Sequence, residues 1–217
     1  MTLDLFSDVC EVHQKDSVLA PGAMLLRGFA APRSAQLQAA IEGVANSAPF
    51  RIMTTRGGHR MSVAMTNCGA AGWVSDASGY RYDALDPTTD EPWPPMPREF
   101  ADLAADAAQR AGFGGFTPDA CLLNRYEPGA RLSLHQDRNE RDTHSPIVSV
   151  SLGLPAVFLF GGARRAERPR RVPLAHGDVV VWGGPARLFY HGVLALKDGE
   201  HSALGRCRMN LTLRHAL

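Results

Sequence analysis

No apolar run in this chain approaches the roughly 20 residues that a membrane-spanning helix needs, which argues against a bilayer span. Cysteine is scarce: Cys10, Cys68, Cys121 and Cys207 lie far apart and none forms a C-x-x-C pair. That spacing speaks against a zinc knuckle or a dense disulfide framework and leaves reduced, mostly structural thiols. Met1 to Cys10 carries Asp4 and Asp8 and lacks a basic segment followed by an apolar one. No secretory signal is read there, and a cytoplasmic location is expected. An excess of one charge is also missing. Lys and Arg number 23 against 22 Asp and Glu, a formal net charge of +1, so no global field announces a polyanionic partner. Internal repeats, low-complexity tracts and obvious linkers are absent too. The 217 residues, 45% of them hydrophobic, read as one domain, expected to be monomeric, with length enough for a substantial core.

What the chain does have is a change of pattern near its middle. Ala23 to Phe29 predicts a short strand. Pro32 and Ser34 then open an amphipathic helix whose Leu37, Ile41, Val44 and Ala48 fall at helical spacing. A second helix is predicted from Pro97, with Phe100, Leu103, Ala104, Ala107 and Ala111 as its buried stripe and Gly112 as its stop. Between them, Phe50 to Tyr82 is rich in Gly, Ser, Thr and Met and reads as strands and loops forming a lid or rim. Pro87 to Pro97 reads as an extended connection. From Ala120 onward, short strands alternate with turns, at 120–126, 131–137, 147–154, 156–160, 178–182, 189–193 and 207–214. Pro128-Gly129, Gly161-Gly162 and Gly183-Gly184-Pro185 are among the turn signals. The fold class is mainly β with flanking helices, a sandwich or barrel of the jelly-roll kind, with two helices covering one sheet face.

Residues two apart on a strand share a face. In the segment from Arg131 to Asp137, Leu132 and Leu134 point one way while Ser133, His135 and Asp137 point the other. His135 and Asp137 can therefore converge on one ion, and His191 can supply a third ligand from a later strand. Two imidazoles and one carboxylate are the ligand set of the facial triad that holds non-haem Fe(II) with positions left open. Each part alone is a weak signal. An isolated His-x-Asp is more often a surface hydrogen-bonded pair, an isolated histidine is more often a satisfied core residue, and zinc accepts the same ligands. A second His-x-Asp, His176 and Asp178, reads as a turn entering the buried strand that follows.

The last strand separates iron from zinc. In Arg208-Met209-Asn210-Leu211-Thr212-Leu213-Arg214, polar and apolar residues alternate throughout. Arg208 and Arg214 are roughly 20 Å apart along an extended strand. A small dicarboxylate lying over Asn210 could take one guanidinium at each end, because arginine is permanently charged and binds carboxylate in a fork. The alternative is a surface strand ending in solvated arginines. Elsewhere, Arg164, Arg165, Arg168, Arg170 and Arg171 fall in one short run opposed only by Glu167. It is either a solvated loop or a phosphate-contacting patch.

Taken together, these residues resemble a known family. The Asn124-x-Tyr126-x-Pro128-Gly129 lead-in, His135-x-Asp137, His191 and the Arg208-x-Asn210-x-Thr212-x-Arg214 ending are similar in order and spacing to the bacterial AlkB family of Fe(II)/2-oxoglutarate dioxygenases, which repair alkylated bases. The likeness runs from about Met61 to the C-terminus. It implies a double-stranded β-helix (jelly roll, cupin-like) with a nucleotide-recognition lid, placed here at about residues 50–90. It implies Fe(II) held by His135, Asp137 and His191. It implies 2-oxoglutarate bound by Asn124, Tyr126, Arg208, Asn210 and Arg214, with O2 as second co-substrate. Trp73 matches the aromatic that sandwiches the damaged base against His135. Tyr80, Arg81 and Tyr82 match the segment that meets the substrate nucleotide, and Arg165 another substrate contact, which favours the nucleic-acid reading of the basic run. Asn139 stands where family enzymes often carry an acid near the base edge. An amide donates and accepts where a carboxylate only accepts, so base preference is open to change.

The implied activity is oxidative demethylation of 1-methyladenine and 3-methylcytosine in DNA, expected single-stranded, with release of formaldehyde; RNA is not separated from DNA by the sequence. One rival is a dioxygenase of the same fold acting on a protein or small molecule, against which Trp73 and the Tyr80–Tyr82 segment speak. Another is a non-catalytic binding module, which would need neither the metal set nor the keto-acid set.

Overall fold

The computed structural model describes residues 15–217. Cys10, His13 and the segment read for a signal lie outside the described residues. In chain order the strands are β1 (Ser17–Ala20), β2 (Ala23–Leu26), β3 (Arg51–Thr54), β4 (Arg60–Gly69), β5 (Gly72–Asp76), β6 (Gly79–Asp83), β7 (Leu85–Asp86), β8 (Glu91–Pro92), β9 (Ala120–Tyr126), β10 (Leu132–His135), β11 (Ile147–Gly153), β12 (Ala156–Phe160), β13 (Arg170–Leu174), β14 (Val179–Trp182), β15 (His191–Val193) and β16 (Arg208–Arg214). The α-helices are α1 (Ser34–Ser47) and α2 (Arg98–Arg110). Eight strands make one sheet in the order β1-β2-β14-β11-β16-β9-β4-β3, and four make a second in the order β10-β15-β12-β13. This is the mainly β jelly roll with flanking helices that the alternating second half predicts.

Two apolar layers follow from period-two patterning. In β11, Val148, Val150 and Leu152 join Leu211 and Leu213 of β16 in a core with Leu37, Ile41, Val44, Phe100, Leu103 and Ala107 of the two helices. Burying a leucine of this kind contributes about 1.5–3 kcal/mol relative to exposing it. The opposite faces of the same strands meet the second sheet, where Val180, Trp182, Phe158, Phe160, Val172 and Val193 form the other core. Ser149, Ser151, Arg208, Asn210, Thr212 and Arg214 are buried on that inner side as well. A row of buried polar groups facing an apolar interior is costly unless something bonds to it, and it marks where function sits. α2 begins with Pro97 as its N-cap rather than its first helical residue, and Gly112, at φ 89, carries the chain out of it.

Three expectations need correction. Phe50 to Tyr82 is not wholly a rim: β3 and β4 belong to the large sheet, and β4 is buried from Val63 to Cys68. A strand covered on both faces loses the alternation that would reveal it, so only β5 to β8 stand apart as hairpins. Strand β10 ends at His135, and Asp137 lies beyond it, so the two ligands converge through the strand's end and not along one face. The basic run is partly strand. Arg170 and Arg171 open β13, the outer strand of the small sheet, where charge and proline are tolerated because one edge has no partner. Strand β1 was not expected either.

Candidate metal and co-substrate site

His135 and His191 face each other in the ladder between β10 and β15. The approach is close because residue 192 is glycine. A Cβ there would lie 2.6 Å from the Leu132 carbonyl oxygen. The imidazole centroids are 4.4 Å apart. Asp137 turns in from beyond the strand, with Oδ1 3.6 Å from His135 Nε2 and Oδ2 3.7 Å from His191 Nε2. One ligand atom from each of the three lies within 4.8 Å of the others. The Nδ1 atoms donate to backbone carbonyls, His135 to Ser133 at 2.8 Å and His191 to Phe189 at 3.0 Å. Those bonds fix the tautomer that turns the Nε2 lone pair toward the common centre.

Ionisation states match. Burial, reinforced by the neighbouring His135, pushes His191 down to about 4, so it is a neutral ligand near pH 7. Burial alone would raise the Asp137 carboxyl, but the Arg214 guanidinium, with smaller contributions from the two imidazoles, holds it below the ordinary carboxylate range. A converging carboxylate and two imidazoles fit a ferrous ion with coordination positions to spare.

Beside this centre runs a polar stripe across three strands. Register sets Asn124 of β9 opposite Asn210 and Tyr126 opposite Arg208, while Ser151 of β11 lies opposite Asn210 on its other side. Asn210 Nδ2 donates to Ser149 Oγ at 2.9 Å and to the Val150 carbonyl at 2.8 Å. Its Oδ1 accepts from Thr212 at 3.1 Å and from Asn124 at 3.4 Å. Arg208 is 1% exposed. Its Nη2 donates to Ser151 Oγ at 2.9 Å, and its guanidinium lies 4.9 Å from the Tyr126 ring centroid. Nε and Nη1 have no partner among the described residues, and burial pushes the Arg208 pKa down. A buried cation with two unanswered donors fits one carboxylate of a keto diacid.

Arg214 is placed differently. It holds Asp137 Oδ2 through Nε at 3.0 Å and Nη2 at 2.6 Å, and its Nε is 3.2 Å from Glu140 Oε1. The two arginines pictured at either end of a diacid are therefore unequal: Arg208 has donors to spare, and Arg214 is engaged with carboxylates of the site.

Sequence reasoning missed several members of this network. Glu140 is buried and accepts a hydrogen bond from the Tyr82 hydroxyl at 2.8 Å. Arg187, 2% exposed, donates to the Asp137 carbonyl at 2.8 Å and the Ser145 carbonyl at 3.0 Å, and lies 3.4 Å from Glu140 Oε2. Nothing near Arg187 in the sequence signals this. Ser149 and Ser151 could have been found, since they alternate with Val148, Val150 and Leu152.

The β5–β6 hairpin stands beside the site. Trp73 pairs with Tyr82 and Ser75 with Tyr80. The Trp73 and Tyr80 rings stack at 5.6 Å and 15°. Trp73 is half-buried, and its backbone N–H and carbonyl are both taken by the Asn67 amide. Arg81 occupies the opposite face, paired with Asp76 at 3.0 Å and Asp83 at 3.2 Å. Asn139 is exposed. Arg165 is exposed too, its guanidinium 5.9 Å from the Tyr190 ring. The second His-x-Asp is a turn, as read: Asp178 accepts from Gly28 N–H and Ala175 N–H at 2.9 Å each, and His176 Nδ1 accepts from Gly153 N–H at 3.0 Å. Cys68, Cys121 and Cys207 are free thiols.

A jelly roll carrying two histidines and an aspartate beside a buried, under-partnered arginine defines a class, the metal-dependent oxygenases that use a keto acid. The family model of the 2OG-Fe(II) oxygenase superfamily matches residues 22–214. AlkB of Salmonella typhimurium strain LT2, an alpha-ketoglutarate-dependent dioxygenase, is 56% identical over 214 residues, covering 99% of this chain and 98% of that protein. The mouse nucleic acid dioxygenase ALKBH1 is 37% identical over 131 residues, 59% of this chain and 33% of its own length. The solved structure of OsALKBH1 superposes with a TM-score of 0.80 at 28% identity, covering 92% of this chain and 99% of that one. The chain belongs to the 2OG-Fe(II) oxygenase superfamily, in its AlkB family, and is an alpha-ketoglutarate-dependent dioxygenase.

Proposed function

We propose that this dioxygenase removes N-linked methyl groups from 1-methyladenine and 3-methylcytosine in DNA, acting as a cytoplasmic monomer and a single domain. The observation that carries the reading is the tie between the aromatic hairpin and the metal-binding cluster. Tyr82 on β6 bonds Glu140, Glu140 contacts Arg214, and Arg214 holds Asp137. The hairpin that carries Trp73, the cross-strand partner of Tyr82, is thereby linked to the carboxylate of the cluster. An enzyme acting on a base takes it out of the stack or uses a single strand. An aromatic face compensates the lost stacking by about 1–3 kcal/mol per base without demanding a sequence. Single-stranded DNA is the proposed form, with RNA as a further substrate. Related proteins act on nucleic acid by name.

His135, Asp137 and His191 would hold Fe(II), which when bound supplies O2 activation coupled to decarboxylation of 2-oxoglutarate to succinate and CO2 and to hydroxylation of the methyl carbon. Arg208, Asn124, Tyr126, Asn210 and Arg214 would seat 2-oxoglutarate. Trp73, with Tyr80, Arg81, Tyr82, Asn139 and Arg165 around it, would hold the nucleotide, and residues 50–90, chiefly the hairpins from Gly72 onward, would form the lid. The hydroxymethyl product is a hemiaminal. Its C–N bond breaks, the ring nitrogen keeps the electron pair, and formaldehyde leaves with loss of the hydroxyl proton.

Mass spectrometry of a panel of methylated oligonucleotides incubated with Fe(II) and 2-oxoglutarate tests this. Loss of one methylene mass per lesion, with equivalent succinate and formaldehyde, is the expected result. Turnover of 2-oxoglutarate without any change in a methylated oligonucleotide would overturn the substrate assignment and leave the oxygenase class standing.

A further inference from the structure

We propose that the seam between the open edges of the two sheets is a second nucleotide subsite, taking the nucleotide next to the damaged one through its base and its phosphate. The proposal rests on the nucleic-acid reading above and deepens it, giving the part of the basic run beyond Arg165 a defined occupant. Strand β1 ends the large sheet and β13 ends the small one. A groove of about 430 Å³ runs along these edges, lined by the apolar Leu19, Ala20, Phe160 and Phe189 and by the charged Arg168, Arg170 and Glu167, the last of which is paired with Arg164. Apolar side chains beside two arginines, with the one carboxylate engaged by Arg164, match the two halves of a nucleotide, a flat base and an anionic phosphate.

Charge on this rim is specific to the place. The chain as a whole carries a formal net charge of only +1, so the arginines here are not part of a general excess. Arg164 is answered by Glu167 at 3.2 Å, and Arg165 lies over Tyr190. Arg168, Arg170 and Arg171 are exposed and make no ion pair among the described residues. Register pairs Arg170 with Phe160 across β13 and β12, and both residues line the groove.

The groove adjoins the metal-binding cluster. Gly161 N–H donates to the Tyr190 carbonyl at 2.7 Å, and Tyr190 N–H donates to the Gly162 carbonyl at 3.0 Å. The loop that carries the arginines is thus bonded to the segment that delivers His191. Phe189 lines the groove and its carbonyl also orients the His191 ring. A strand with one base at the triad therefore has its neighbour beside this wall.

The test compares binding by the holoprotein, loaded with Fe(II) and 2-oxoglutarate without oxygen, to a methylated mononucleotide, which has no neighbour, and to a methylated strand of roughly nine nucleotides, across a salt series. The wild type is expected to prefer the longer strand. The double variant Arg168→Ala/Arg170→Ala should bind it about tenfold or more weakly, with the log–log salt slope reduced by about 0.7 for the one lost phosphate. Binding and turnover of the mononucleotide should be unchanged. Arg168→Lys/Arg170→Lys should recover most of the affinity, since either cation meets a phosphate. If the alanine pair matches wild type on the longer strand at every salt concentration, the subsite is refuted while the demethylase reading stands. If the wild type binds neither methylated ligand, both fail together. Both residues are exposed, and a thermal melt of each variant separates lost binding from lost fold.

Discussion

Arg208 is the side chain whose surroundings ask most plainly for a ligand. It is buried, keeps its charge against the pull of desolvation, and among the described residues hydrogen-bonds the protein through one nitrogen only. Leaving such a cation without a counter-ion destabilises the fold, so a carboxylate that binds there is held strongly. Arg208→Lys keeps one charge but loses the planar donor set. Steady-state kinetics should show the KM for 2-oxoglutarate raised by roughly tenfold to a hundredfold, in line with losing part of a buried charge-assisted pair. The KM for oligonucleotide should stay near wild type. An unchanged KM for 2-oxoglutarate would remove Arg208 from that site. At this scale the sequence is legible where chemistry demands a rare residue at a fixed spacing, as with His135, Asp137, His191 and Arg208. It is silent where a residue serves by position alone. Glu140 and Arg187 are found only once folding brings residues some 47 apart into one ion-pair distance.

Elements were readable in proportion to how cleanly one face meets water and the other meets core. Strand β9 was predicted to the residue and β16 to within one, because flanking turns and steady alternation bound them. Strand β4 reads only as a strand-like piece of a rim because it is buried on both faces, and β13 does not read as a strand because it is an edge strand dressed in arginine. The turn before β14 yields a testable consequence of its own. His176 Nδ1 accepts the Gly153 N–H, which pins the end of β11 directly opposite Arg208. Burial, with the adjacent His201, lowers the His176 pKa. A histidine with a lowered folded pKa stays neutral in the native state while the unfolded chain takes a proton at its ordinary value of about 6.5. Its stabilisation is complete above that value and is lost as pH falls from there through the folded pKa. The melting temperature of the metal-free protein should therefore decline more steeply below about pH 6.5 in wild type than in His176→Gln, whose amide oxygen accepts without titrating. Because His176 is partly exposed, the difference is a modest one. Parallel pH profiles for the two proteins would count against this role.

For the molecule as a whole, the same buried polar groups make the fold and its ligands one thermodynamic system. Asp137 and Glu140 are balanced internally by Arg187 and Arg214, so the metal-binding cluster has a standing framework before any ion arrives. Arg208 has no such balance. Ligands that bind only the native state raise stability by mass action, about 2.7 kcal/mol at a hundred times Kd. For a chain of this length each kcal/mol moves Tm by about 2–4 °C. A redox-inert stand-in such as Mn(II), which accepts the same ligands, together with 2-oxoglutarate should raise Tm by roughly 5–10 °C, and a chelator should reverse the metal's share. His135→Ala is the informative control. His135 is the most exposed of the three ligands, its side chain 35% accessible against 9% for Asp137 and 6% for His191, so its loss should leave the ligand-free melting point nearly unchanged while abolishing the metal's contribution. A metal-dependent shift that survives in His135→Ala would mean that the ion binds elsewhere, and the polar interior between the sheets would then need another reason for its arginines.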